Sequence, residues 1–202
     1  MKSVMFNHFR LIAPFYDRFI APPNPARLLE NLALPAAGRL LDIGGGTGRV
    51  AGQLAPHVAQ VVLVDETAAM LHQAQAKGLC CPAVARAERL PFASGSFERV
   101  LAVDALHHFA HQRQALREMA RVLRPGGRLV IEEPDLRRLP VKLVALGEKL
   151  MLMRSRFLYP HEIGRELAAL GLHTRVTTDG RFVAWIIAEK SGRQGQEETD
   201  ER

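Results

Sequence analysis

The residues of this chain best suited to chemistry fall in a few short runs. Asp42, Gly44, Gly46 and Gly48 alternate through "LLDIGGGTGRV", where four glycines occupy five positions directly after an apolar stretch. Glycine loses more backbone freedom on folding than any other residue, so this run signals something that must lie close to the main chain. Asp65 ends a second apolar stretch in "VVLVDETAAML", 17 residues after Gly48. A carboxylate there can accept hydrogen bonds from both hydroxyls of a ribose. Asp104, His107 and His108 lie in "VDALHHF", and histidine is suited to proton transfer near neutral pH. Glu132, Glu133 and Asp135 close a further apolar stretch. The chemistry these imply is a nucleoside held against bare backbone, with acids and imidazoles nearby.

Those runs need a scaffold. Apolar stretches near 39–43, 61–65, 82–85, 98–103, 127–133, 172–178 and 182–189 read as strands. Amphipathic patterns near 47–56, 67–77, 111–123 and 161–170 read as helices. Alternating strand and helix predicts an α/β fold with a doubly wound, mostly parallel sheet. Asp179-Gly180 between the last two strands predicts a hairpin, hence one antiparallel strand near the C-terminal edge. In such a sheet, ligands bind at the carboxyl ends of the strands. The glycine run sits at one of those ends, and a helix expected to start near Thr47 would add unpaired N–H groups and a partial positive charge.

Residues 1–38 read as a helical cap, with Phe6, Phe9, Ile12, Phe15, Tyr16 and Phe19 recurring on one face before Pro22, Pro23 and Pro25 break the pattern. Asn24 is placed to cap a helix that restarts at Pro25. The remainder, 39–190, reads as one domain. Within it, the apolar and basic insert 136–160 is long for a connection, and reads either as a helix packed on the core or as a lid over a hydrophobic substrate. The tail 191–202 has no apolar residue to bury and reads as disordered. Two adjacent cysteines, Cys80 and Cys81, argue against a disulfide scaffold or a four-ligand zinc site, and no metal is expected. No apolar run reaches the ~18 residues of a membrane span, and a cytoplasmic protein is expected. The net charge of +6 admits an anionic substrate, a membrane surface or a nucleic acid.

The spacing differs from the dinucleotide fingerprint G-x-G-x-x-G. Asp42-x-Gly44-x-Gly46-x-Gly48 resembles instead motif I of the class I S-adenosylmethionine-dependent methyltransferases, which share a Rossmann-like seven-stranded sheet. "VVLVDETAAML" resembles the family's ribose-binding segment, "ARAERLPFASGSFERVLAVDALHHF" its adenine segment with the fourth strand, and "ALREMARVLRPGGRLVIEEPD" the following helix, turn and fifth strand. The resemblance is strongest to the branch with the ubiquinone/menaquinone C-methyltransferases and other small-molecule enzymes.

That resemblance implies S-adenosyl-L-methionine as cofactor. It implies contacts from Asp42 and the glycine loop to the methionine end, Asp65 and Glu66 to the ribose, Met70, Ala87 and Glu88 around the adenine, and Tyr16 and Asp104 at the cleft. The family has Asp or Asn where this chain has Arg86, which offers no acceptor to the adenine amino group. His107 or His108 is the candidate base if the acceptor must lose a proton. A small acceptor is expected, hydrophobic and of quinol-precursor type among others, with peripheral membrane contact as an option. Two alternatives are a nucleic-acid methyltransferase and a non-catalytic cofactor-binding subunit. Against the first, no Asn/Asp-Pro-Pro-aromatic pattern or Pro-Cys nucleophile is present; against the second, the glycines and Asp65 are intact.

Overall fold

A computed structural model describes residues 23–78, 81–135, 137, 157–180 and 182–192. Tyr16 and most of the expected cap, nearly all of the insert, and the tail from residue 193 lie outside the described residues.

Seven strands form one sheet: β1 (Ala36–Ile43), β2 (Val58–Asp65), β3 (Pro82–Val84), β4 (Phe97–Val103), β5 (Leu123–Pro134), β6 (Leu172–Thr178) and β7 (Val183–Lys190). Their order is β3-β2-β1-β4-β5-β7-β6. The first five pair in parallel, and β7 runs antiparallel to both β5 and β6. The expected hairpin forms: Gly180 takes a positive φ of 76°, and the Asp179 carboxylate accepts from the amides of Phe182 and Val183, each at 3.0 Å. The sheet starts at Ala36, three residues inside the stretch assigned to the cap.

Helices cover both faces. Helices α1 (Pro25–Leu32), α2 (Ala51–Leu54) and α3 (Ala68–Ala76) lie on one side; α4 (Gln112–Val122) and α5 (Pro160–Ala169) lie on the other. Strand alternation explains the division. Leu40, Leu101, Val103 and Val130 meet Leu28, Leu32 and Leu54 on the first face, while Leu41, Ile43, Val100 and Ile131 meet Leu116, Met119 and Ile163 on the second. Helix α1 begins as its sequence demands, with Asn24 Oδ1 accepting from the amide of Ala26 at 2.9 Å. Its end is closed from the sheet: Arg99 donates to the carbonyls of Leu32 and Ala33, and Arg128 to that of Asn31.

The order of the strands creates the cleft. After β1 the chain winds outward to β2 and β3, then returns to lay β4 on the other side of β1. The loops leaving β1 and β4 therefore diverge at their carboxyl ends, opening a crevice between them.

Among the described residues Phe97 is the largest fully buried side chain, with Phe92 edge-on at 5.0 Å between centroids and the Arg39 guanidinium 4.7 Å from its ring centre. Phe97→Ala is expected to lower unfolding free energy by about 3–5 kcal/mol, measured by urea denaturation.

Candidate active site

The loop after β1 is built by glycine. Gly44, Gly46 and Gly48 all take positive φ (72°, 55° and 74°), a region that L side chains rarely enter. The reasons differ by position. A Cβ on Gly44 would stand 2.7 Å from the Ala105 Cβ, and one on Gly45 would stand 2.8 Å from the Asp42 carboxylate. Those two are bare because the loop is wedged between the ends of β1 and β4. A Cβ on Gly46 would meet nothing nearer than Asp65 Oδ2 at 3.9 Å. Gly46 is therefore bare toward open space, where a ligand can rest against main chain.

The expected helix from residue 47 to 56 is only α2, four residues long, followed by a 3-10 turn over Ala55–His57. Positive φ at Gly46 and Gly48 holds the preceding residues as turn, and Pro56 ends the helical hydrogen bonding. Much of the expected donor supply is also engaged. The amides of Gly44 and Gly45 donate to the Val64 carbonyl (2.7 and 3.2 Å), Gly46 to Asp65 Oδ2 (3.1 Å) and Gly48 to the Gly45 carbonyl (2.9 Å). Lys77, which no sequence motif marks, pins the loop from the end of α3 by donating to the Thr47 carbonyl at 2.8 Å.

Several carboxylates gather at these strand ends. Asp65 uses both oxygens to fix backbone, Oδ2 on Gly46 and Oδ1 on Thr67 N at 2.7 Å, and burial raises its pKa against those bonds. Glu66 beside it is exposed, and partial burial raises its pKa while Arg86 opposes. Asp42 is buried, and its Oδ2 accepts no hydrogen bond. Burial pushes Asp42 up to about 7, with Arg49 opposing and Asp65 adding. Glu132 likewise has a buried, unbonded Oε2, and is pushed up to about 8 by burial first and by Asp104 next, with Arg49 again opposing. Asp42 and Glu132 share the α1–α3 face of the sheet, since each continues the alternation of Leu40 and Val130. Arg49 is a cation common to both, and the sequence reading did not single it out.

Glu133 faces the other way and is the support of the β4 turn. Its Oε1 accepts from the amides of Ala105 (3.1 Å) and Leu106 (2.8 Å), and its Oε2 meets His107 Nδ1 at 2.7 Å. Asp104 is thereby held at φ 52°, its own amide bonded to the Glu132 carbonyl at 2.9 Å. Such a non-glycine conformation persists only where surrounding bonds impose it. His107 is 2 % exposed, stacked on Phe157 with centroids 4.5 Å apart, and its Nε2 lies 4.0 Å from Asp104 Oδ1. His108 is pushed down to about 3 by burial first and His107 second, which makes it a weak base. The structure thus places His107 as a packed support behind Asp104, with the His108 ring against it at 3.9 Å between centroids. Asp135 is also occupied, by the backbone and guanidinium of Arg137.

On the expected adenine side, Arg86 turns to Glu88, with Nε 3.3 Å from Oε2. Burial opposes ionisation of Glu88, but the His111 amide, its own backbone amide and Arg86 outweigh it and lower its pKa. The Glu88 carboxylate is thus committed to Arg86 and to His111 N (3.0 Å). Ala87 is buried in the α4–α5 core and Met70 is 2 % exposed, so little of the Met70 side chain is open to a ring.

Residues 41–131 match the family model for a methyltransferase domain. Among curated relatives, the ubiquinone/menaquinone biosynthesis C-methyltransferase UbiE of Bordetella parapertussis is 42 % identical over 103 residues, 47 % of this chain and 40 % of that protein. The O-methyltransferase ResE of Aspergillus sclerotiorum is 37 % identical over 111 residues, 51 % of this chain and 42 % of that one. The chain thus spans about two fifths of the length of the curated relatives it matches. Among solved structures, the chain in complex with the Trm112 methyltransferase activator of Haloferax volcanii superposes with a TM-score of 0.78 at 17 % identity, covering 93 % of this chain and 99 % of that one. The fold expected from the sequence is therefore the fold observed, and motif I lies inside the matched domain.

The raised carboxyls make stability pH-dependent in a stated direction. A folded state that keeps a proton where the unfolded chain has lost it is stabilised below the unfolded pKa, and loses that contribution as pH rises through the folded pKa. For Asp42 the window runs from 3.8 to about 7, and for Glu132 from 4.5 to about 8. Within it each group contributes a slope of about 1.4 kcal/mol per pH unit. Urea denaturation of the cofactor-free protein should show stability falling between these limits, with Asp42→Asn giving a shallower fall below pH 7.

Proposed function

We propose that this chain, which carries a methyltransferase domain over residues 41–131, binds S-adenosylmethionine in the cleft between the β1 and β4 loops and transfers its methyl group to a small acceptor. One observation carries the reading: main chain left bare at Gly46 beside Asp65, in the loop whose Gly45 packs over the buried Asp42 carboxylate. A buried carboxyl oxygen without a hydrogen bond is costly, and the positive charge of the methionine ammonium over the loop would offset part of that cost through its field. When bound, the cofactor supplies a methyl group on a sulfonium, open to in-line displacement.

The protein's part is positioning, which can contribute on the order of 7–11 kcal/mol to such a reaction. Asp65 offers its remaining lone pairs to the ribose hydroxyls while fixing Gly46. The Gly44 carbonyl is the acceptor for the ammonium, and Asp42, sealed beneath Gly45, adds negative charge under the loop. Asp104, held by Glu133 through the β4 turn, lines the reacting end. The acidic lining favours a ligand of net positive charge. The relatives named for carbon methylation of quinones and for O-methylation support an acceptor of small-molecule size, and we assign this chain that class, with a quinol precursor among its members.

Isothermal calorimetry tests this. S-adenosylmethionine should bind, more tightly as pH rises from 6 to 8.5 and the carboxyls ionise, while NAD should give no heat. Gly46→Val should cost at least about tenfold in affinity, because a β-branched residue strains at this φ and fills the open space. Gly171→Ala, also at positive φ but on the turn before β6, should leave binding unchanged. Equal uptake of NAD, or full affinity in Gly46→Val, would sink the assignment.

A further inference from the structure

One buried acid keeps an oxygen without a hydrogen bond once the cofactor contacts are assigned. Glu132 is 9 % exposed, and its Oε2 accepts no hydrogen bond. It lies toward the end of β5, with Val103 of β4 and Trp185 of β7 as its Cα neighbours. The charges that act on it come from each surrounding element: Asp104 after β4, Arg49 after β1, Glu133 on the opposite face of its own strand and Asp179 in the turn before β7. Three of these four are acidic.

The contrast with Glu133 is informative. Two adjacent acids on one strand point to opposite faces; one bonds two amides and an imidazole, and the other leaves a carboxyl oxygen bare. Leaving such an oxygen buried costs about 1–3 kcal/mol, and Glu132 has nothing structural to show for it. Its backbone does have a role, since the Glu132 carbonyl holds the Asp104 amide. That bond keeps the two residues together at one rim of the cleft. Neither histidine is a better proton acceptor there. His107 is bonded to Glu133 on the opposite face, and His108 is held neutral by burial. Glu132, pushed up to about 8, exchanges its proton near neutral pH, where a general base is most effective.

A carboxylate-bearing group entering this rim would meet like charges. A hydroxyl or an amine that reached the buried Glu132 Oε2 would find a carboxyl oxygen with no hydrogen bond already made. Building on the methyltransferase reading, we propose that Glu132 binds and deprotonates the acceptor's reacting group, and that the methylated atom is therefore a protic heteroatom, O–H or N–H. Glu132 Oε2 takes the proton as the heteroatom bonds to the methyl carbon and the carbon–sulfur bond breaks, its electron pair staying on sulfur. Asp104 keeps the acceptor's hydrogen-bonding edge turned toward Glu132.

The test uses the full chain loaded with S-adenosylhomocysteine, titrated calorimetrically with catechol, tryptamine and benzoate. Catechol or tryptamine should bind, and benzoate should bind at least about tenfold more weakly than the better of the two. Glu132→Gln, which keeps the shape, and Glu132→Leu, which removes the acceptor altogether, should weaken the protic probe by about tenfold or more. Both variants should hold S-adenosylhomocysteine as the native chain does and melt no lower, because Glu132 bonds nothing through Oε2. In the infrared, the native chain should show a protonated-carboxyl band that fades as pH rises through about 8 and is missing from Glu132→Gln. Benzoate binding as tightly as both protic probes, failure of both protic probes to bind, unaltered binding in the variants or absence of the band would each overturn the proposal. Failure of the native chain to bind S-adenosylhomocysteine would instead overturn the methyltransferase reading beneath it.

Discussion

The close approach of main chain at Gly44 and Gly45 to their neighbours is the constraint on which the cleft depends. Gly44 sits against Ala105 at the end of β4, and Gly45 lies over the carboxylate of Asp42. No side chain fits at either point, so the loop is drawn down between two strands instead of rising over them. That descent seals Asp42 from solvent and leaves Gly46, half-buried, with no neighbour closer than ordinary contact. Raising Asp42 from 3.8 to about 7 corresponds to about 4 kcal/mol of disfavoured ionisation. A bound cation can return part of that energy, which ties affinity at the loop to charge buried beneath it.

The second organising element is the division of labour along β5. Alternation sends Glu132 and Glu133 to opposite faces. Glu133 ties down two amides and His107, fixing the turn that presents Asp104. Glu132 is left with an unbonded oxygen among acids on the other face. The strand thus supports the cleft from one side and carries a buried carboxyl with a raised pKa on the other. Arg49 links the two halves, acting on both Asp42 and Glu132 from the loop after β1.

The histidines show how local reading and tertiary placement part. "LHH" after a strand reads as acid–base chemistry, because residue type is all that is visible. In the fold, the first ring is stacked on Phe157, about fifty positions away in sequence, and bonded to Glu133. Glu88 follows the same pattern: placed near the adenine by its motif, it is occupied by Arg86 and by the His111 amide. The helix expected from residue 47 was misjudged for a local reason, since apolar spacing does not reveal that glycines at 46 and 48 will adopt positive φ.

The sequence by itself determined the strand–helix alternation, the hairpin at Asp179-Gly180, the glycine loop and the acid closing β2. These follow from periodicity and from backbone conformations that few residues other than glycine adopt readily, both of which are local properties. Only the tertiary structure decided which carboxylates are buried and which are bonded. It also decided that Arg49 and Lys77 serve the loop and that two adjacent glutamates do different work. Burial, pKa and hydrogen-bond pairing depend on what distant strands bring within a few ångströms, and nothing in the neighbourhood of Glu132 along the chain records the approach of Asp104, Arg49 and Asp179.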